Sequence, residues 1–338
     1  MYNKLLHTPE GFRDIYGTEF FKRQKVNNIL YDTIKKYDYM SIDMPAIEYF
    51  DIFSSNIGTI PSNELYKFFD KEGNTLVLRP DFTPSIARVA ATYFADHNDT
   101  LRFMYSGSTF VNSSDLQGKL KESTEVGAEL IGDGSVEADY EVISIVLDCA
   151  KALNIEDFQI SIGNVEFFKG LCKEFVFDEK TEIDLRDMIS NKNYFGAKGI
   201  LDSTDIDEGV KQSILSISEL YGSYECLEKA LTIASNDRSK NAINRLMKLY
   251  ELVKKSGREK YISFDLGMLS KYNYYTGIVF RGYTYGTGDA IFKGGRYDKL
   301  LNEFGKDLPA VGFAATVDQL VSVMSRTESE LFKDLPLY

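Results

Sequence analysis

The stretch 166–257 reads as helix after helix, each with a polar face, and clear strand patterns lie only on either side of it. A sheet of useful width must therefore draw on both flanks. This predicts an α+β layer in which a mixed, mostly antiparallel sheet is flanked by helices and interrupted by a helical insertion. Before the insertion, strands are expected at 64–69 and 75–79, flanking the turn Lys71-Glu72-Gly73-Asn74. Further strands are expected at 101–107, 108–112, 122–132 and 158–162. After it they are expected at 261–266, 274–285, 289–293 and 310–315. Helices are expected at 19–37, at 135–153 behind Ser135, at 296–304 and from 317 onward. Another opens at Thr83 as N-cap with Pro84 in the first turn. The glycines at 282–288 and Gly294-Gly295 lack phosphate-loop spacing and read as hairpin turns.

Composition narrows the function. The 338 residues carry 51 acidic against 39 basic side chains, a net charge of -12, and no Lys/Arg cluster. Nucleic-acid binding, which needs a positive field, is not expected. No apolar run approaches the roughly 18 residues of a membrane span, and the first residues have no apolar signal core, so a cytoplasmic protein is expected. Cys149, Cys172 and Cys226 match no metal or redox spacing, and His7 and His97 are too few for a histidine-rich metal site. Neither a metal nor a cofactor is expected.

The chemistry gathers in a few places. In an extended Glu125-Val126-Gly127-Ala128-Glu129-Leu130-Ile131-Gly132, the side chains of Glu125 and Glu129 share a face with Gly127 between them, leaving a small acidic hollow. Asp81 lies just before a helix N-terminus, where the dipole stabilises a carboxylate. Taken alone, Asp81 could be a cap and the two glutamates could face water. Tyr274 and Tyr275 add hydroxyls and aromatic faces, and carboxylates beside tyrosines suit a small cationic ligand. Histidine meets these needs, as would other amines.

The order of the motifs is more specific. Leu78-Arg79-Pro80-Asp81-Phe82-Thr83-Pro84, then Tyr274-Tyr275-Thr276-Gly277, Gly294-Gly295-Arg296-Tyr297-Asp298 and Pro309-Ala310-Val311-Gly312-Phe313-Ala314 resemble the catalytic domain of histidyl-tRNA synthetases. The resemblance covers about 8–320. It implies a class II synthetase-like fold over 1–325, interrupted by the insertion 166–257, and a histidine-binding site of Asp81, Thr83, Glu125, Glu129, Tyr274 and Tyr275, with Gly295 and Tyr297 at its wall. Asp81 is one methylene shorter than the family's usual Glu, and Glu125 stands where Gln is common. Thr8-Pro9-Glu10-Gly11-Phe12-Arg13-Asp14 resembles the family's N-terminal segment and is read as structural. Pro45 with Glu48 and Phe50 resembles motif 1, which builds the family's dimer interface.

What the pattern lacks matters equally. The family carries arginine forks that hold ATP phosphates. Phe110-Val111 replaces Phe-Arg of motif 2, Ser270-Lys271-Tyr272-Asn273 replaces Arg-Gly-Leu-Asp, and Thr316-Val317-Asp318-Gln319 replaces the Gly-Leu-Glu-Arg of motif 3. The motif 2 loop has Ser113 and Ser114, with Lys119 and Lys121 its remaining cations. No anticodon-binding domain is expected after the motif 3 helix. The chain is thus identified as a member of the family of regulatory subunits of short-form ATP phosphoribosyltransferase, synthetase-like proteins of histidine biosynthesis. That resemblance implies no aminoacylation of its own, histidine as effector, and a homodimer within a hetero-oligomer containing the catalytic subunit. A truncated histidyl-tRNA synthetase, or another synthetase-like paralogue sensing tRNA or amino acid, is the alternative.

Overall fold

The computed structural model describes residues 4–54, 60–97, 99–113, 120–174, 177–269 and 274–336. The helices are α1 Gly17–Lys35, α2 Thr83–Tyr93, α3 Val136–Ala152, α4 Val165–Glu174, α5 Glu179–Ser190, α6 Tyr194–Asp202, α7 Glu208–Ser216, α8 Glu225–Ile233, α9 Asp237–Lys255 and α10 Val317–Arg326. The strands are β1 Met40–Ser41, β2 Ile47–Tyr49, β3 Lys67–Phe69, β4 Thr75–Leu78, β5 Leu101–Phe110, β6 Glu122–Ile131, β7 Phe158–Asn164, β8 Tyr221–Gly222, β9 Ile262–Asp265, β10 Ile278–Thr284, β11 Phe292–Arg296 and β12 Ala310–Thr316.

Local chemistry sets the helix ends. Ser135 caps α3 by accepting the Ala138 N–H, and Glu137 and Asp139 occupy the dipole-favoured first turn. Asn236 and Ser239 form a reciprocal capping box at the start of α9. Thr83 is not a cap. Phe82 holds that position, and Thr83 is the first residue of α2.

The main sheet runs β1-β5-β6-β12-β11-β10-β7-β9-β8, and a small sheet runs β2-β4-β3. Strands from both flanks of the helical stretch alternate in it. β6 pairs antiparallel with β12, and β7 pairs antiparallel with β10 and parallel with β9. The expected α+β layer with a mixed, mostly antiparallel sheet is therefore observed.

Several expected boundaries moved. The strands at 101–107 and 108–112 are one, β5, held along its length by β6. Gly294 and Gly295 are not a turn: they sit inside β11, opposite Phe280 and Val279 on one side and Phe313 and Gly312 on the other. A Cβ at Gly294 would lie 2.3 Å from both the Gly312 carbonyl oxygen and the Phe280 ring, so only glycine fits. The helix expected at 296–304 is the end of β11 followed by a 3-10 turn, Leu300–Phe304. The helical stretch also contributes the two-residue strand β8, which pairs with β9.

One hydrophobic cluster joins Leu30 of α1, Val142 of α3, Ile162 of β7, Phe280 of β10 and Leu320 of α10 to Leu185, Leu227 and Leu246 of the helical stretch. Cys149, Cys172 and Cys226 are free, buried thiols in it. A second cluster holds Phe82, Tyr105, Ile131, Tyr297 and Ala310, with Tyr274 packed against it. Among the described residues, no helix is long and apolar enough to cross a membrane.

Candidate functional site

The second cluster is the floor of a small acidic recess, and two glycines make the room. Gly127 lies opposite Tyr105 of β5, and a Cβ there would come within 2.3 Å of the Tyr105 hydroxyl. Gly312 of β12 lies opposite Glu129, and a Cβ there would sit 1.6 Å from Glu129 Oε2. The Glu129 carboxyl thus occupies space that any other residue at 312 would fill.

Glu129 is 2% exposed and held from two sides. Thr83 Oγ1 donates to its Oε1 at 3.1 Å, and the Tyr297 hydroxyl donates to its Oε2. Thr83 therefore spends its hydroxyl on the recess rather than on its helix, while its backbone N–H donates to Asp81 Oδ1 at 2.9 Å. Asp81 is thereby fixed at the start of α2.

The charge of Asp81 is felt by both glutamates. Burial, and then the charge of Asp81, pushes Glu125 up to about 8, against an ordinary 4.5; Lys293 and Arg79 pull the other way. Burial also pushes Glu129 up to about 8, opposed by the Tyr297 hydrogen bond, reinforced by Asp81 and opposed again by Thr83. Protons are held where water and counter-charge are scarce. A cation entering the recess would supply that counter-charge.

Tyr274 and Tyr275 form an aromatic wall. Their rings stack at 4.3 Å and 29°, and Tyr274 meets Tyr297 edge-on at 5.9 Å. They precede β10 rather than standing on it, because the chain there is pinned differently. The Thr276 N–H donates to the Arg296 carbonyl at 2.8 Å, and the Asp298 N–H donates to Thr276 Oγ1 at 2.7 Å. Gly295 has no side chain because the Tyr275 ring lies over it, 2.5 Å from where a Cβ would stand.

All eight residues expected at a site are therefore placed in the structure. Asp81, Thr83, Glu129 and Tyr297 are linked by hydrogen bonds and charge. Glu125 joins them electrostatically, and Tyr274, Tyr275 and Gly295 form the adjoining wall. Sequence reasoning missed Tyr105, whose hydroxyl is pushed well above its usual range by burial and by Glu129, Glu125 and Asp81. Its signal was register: only the pairing of β5 with β6 sets it over Gly127. It also missed how Arg79 is used. Its Nε donates to the Ser108 carbonyl at 2.9 Å, another nitrogen donates to the Met44 carbonyl, and its guanidinium lies 4.1 Å from the Phe82 ring centre. Those bonds commit it to framework.

Arg296 is also framework. It is 1% exposed, and its Nε donates to Asp139 Oδ1 at 2.8 Å. Arg245 Nε of α9 donates to the other oxygen of Asp139 at 2.6 Å. Of the expected arginine positions, Val111 follows β5 and Gln319 lies on α10. Ser270-Lys271-Tyr272-Asn273, and Ser114 and Lys119 of the motif 2 loop, lie outside the described residues.

The histidyl-tRNA synthetase family model matches residues 11–320. A protein of Acetivibrio thermocellus named ATP phosphoribosyltransferase regulatory subunit is 39% identical over 97% of this chain and 78% of its own length. One of the same name from Clostridium acetobutylicum is 38% identical over 96% of this chain and 80% of its own. Among solved structures, an ATP phosphoribosyltransferase regulatory subunit/histidyl-tRNA synthetase from Bacillus halodurans has a TM-score of 0.88 at 32% identity, covering 94% of this chain and 83% of that one. Histidyl-tRNA synthetase from Nostoc sp. PCC 7120 has a TM-score of 0.81 at 21% identity, covering 98% and 77%, and so shares the fold.

Proposed function

The chain belongs to the histidyl-tRNA synthetase family, in the branch of ATP phosphoribosyltransferase regulatory subunits, and from that premise we propose that it binds histidine between Asp81, Thr83, Glu125, Glu129, Tyr274, Tyr275 and Tyr297 and transmits that binding to a catalytic partner. The partner is the short form of ATP phosphoribosyltransferase, which this chain activates and through which bound histidine shuts off synthesis. The chain works in the cytoplasm as a homodimer within a larger hetero-oligomer. The observation that carries the reading is a group of carboxyls and tyrosines joined through Glu129 in a chain whose Val111 and Gln319 stand where an adenylating synthetase has arginines.

The chemistry supports a sensor over a catalyst. A carboxyl cluster holds an ammonium and accepts from an imidazole N–H. Activating ATP demands preorganised cations on the phosphates, and losing even one such donor costs about 10²–10³ in rate. The synthetase reaction is therefore outside this chain's reach, and 1–325 serves as a receptor fold interrupted by 166–257. Regulation then requires that histidine bind one state of the assembly better than another, by a coupling typically of about 1–3 kcal/mol.

Mixing this chain with a short catalytic subunit tests the reading: phosphoribosyl transfer should depend on the mixture and fall on adding histidine. Activity of the catalytic subunit indifferent to this chain refutes it. Histidine-dependent exchange of pyrophosphate into ATP by this chain alone, at synthetase rates, refutes the non-catalytic part.

A further inference from the structure

The aromatic wall of the recess is held from outside the sheet, by the helical stretch. Lys169 of α4 sends its ammonium to the backbone carbonyl of Tyr275, with Nζ 3.0 Å from the oxygen. At the first residue of α4, the Val165 N–H donates to the Gly277 carbonyl at 3.0 Å. Ser190, the last residue of α5, donates its hydroxyl to the Leu269 carbonyl at 3.0 Å. Main-chain carbonyls at 269, 275 and 277 are thus gripped by two helices that carry none of the eight expected site residues.

The Lys169 contact is costly to build, which argues that it is specific. Its side chain is only 22% exposed, and the nearby cations Arg238 and Arg186 oppose its charge. Glu166 lies 3.8 Å from the ammonium, but Glu166 already pairs with Arg238 at 2.6 Å. The carbonyl of Tyr275 gives the ammonium a short, charge-assisted bond. The Tyr275 ring lies on Gly295, stacks on Tyr274, and packs against Val165, at the head of α4, and Met268. A shift of α4 therefore moves the ring that closes one side of the recess.

We propose that Lys169 is a positioning residue for the ligand site, setting Tyr275 and through it Tyr274, so that the placement of α4 governs how tightly a small cationic amino acid is held. This rests on the reading of the recess as a histidine site. It gives the helical stretch a role that none of the eight expected site residues has: a handle by which something bound to the helices alters the recess without touching it.

The test is histidine titration by calorimetry of the full chain in three variants. Lys169→Met keeps the stem and loses the donor, and should weaken histidine binding about tenfold with the melting temperature unchanged. Lys169→Arg restores a donor and should recover most of the affinity, which a merely structural role would not give. Ser190→Ala should weaken binding in the same direction, by less. Wild-type affinity in Lys169→Met, or an arginine variant as weak as the methionine one, overturns the proposal. Glu129→Ala separates the two readings. If it binds histidine like wild type, the recess is not the site. If it abolishes binding while Lys169→Met does not change it, only the positioning role falls.

Discussion

At the scale of single residues, Glu129 is the centre of the recess. Glu129→Ala removes the acceptor for Thr83 and Tyr297 and leaves two buried hydroxyls to find others, a cost of about 1–3 kcal/mol. It should abolish histidine inhibition while the complex with the catalytic subunit still assembles, as gel filtration and inhibition assays would show. Gly312→Ala should do similar damage from the opposite strand, since a Cβ 1.6 Å from Oε2 forces the carboxyl out of its bonds. The titration of the recess carries a further expectation. Folded Glu125 and Glu129 hold their protons up to about 8, above the ordinary 4.5 of the unfolded chain. The ligand-free fold therefore binds more protons than the unfolded chain across that window, and its stability falls as pH rises from about 4.5 toward about 8. The ammonium of histidine, charged at both pH 6 and pH 8, favours the ionised carboxyls, so histidine should stabilise the protein more at pH 8 than at pH 6, with protons released from the carboxyls on binding. Melting curves with and without histidine at the two pH values check this, and an equal shift at both refutes it. Alternation along 125–129 was legible in the sequence because a strand has a period of two. Which donors reach Glu129 was not, because that depends on α2 and the end of β11 arriving from distant parts of the chain.

Between elements, a buried electrostatic tie runs through Asp139 of α3, bracketed by Arg296 at the end of β11 and Arg245 of α9. Asp139 is fully buried and Arg296 nearly so, so removing a partner strands a charge away from water. Arg296→Met should destabilise the protein by about 3–5 kcal/mol, seen as a fall in the urea midpoint. Removing Arg13 from its exposed pair with Glu19 should cost about 0–1 kcal/mol, because water screens those charges. A loss for Arg296→Met as small as that would contradict the packing described. The paired glycines of β11 show the limit of reading elements locally. Gly294-Gly295 has turn composition, yet it is a central strand squeezed between β10 and β12. Only the neighbours' closeness explains it, and neighbours are not written in a window of sequence. Tyr274 and Tyr275 failed to join β10 for a related reason: contacts to Arg296, Asp298 and Lys169 hold the chain off the ladder there.

For the molecule as a whole, a run of helices between two strand-bearing flanks was readable from periodicity, and so was the mixed sheet. The interleaving of β6 with β12 and of β7 with β10 was not, because pairing order is a property of packing. Sheet and helical stretch share the larger of the two apolar clusters described above. Cys149 sits on α3, which packs toward the sheet, and Cys172 and Cys226 sit on α4 and α8 of the helical stretch, all three in that larger cluster. All three sulfurs are shielded, so a thiol reagent can reach them only through openings of the fold. Mass-resolved labelling in native buffer would then act as three clocks in one molecule. Matching rates would report that the two regions breathe together, and faster modification of Cys172 and Cys226 would reveal helices that loosen while the sheet stays shut.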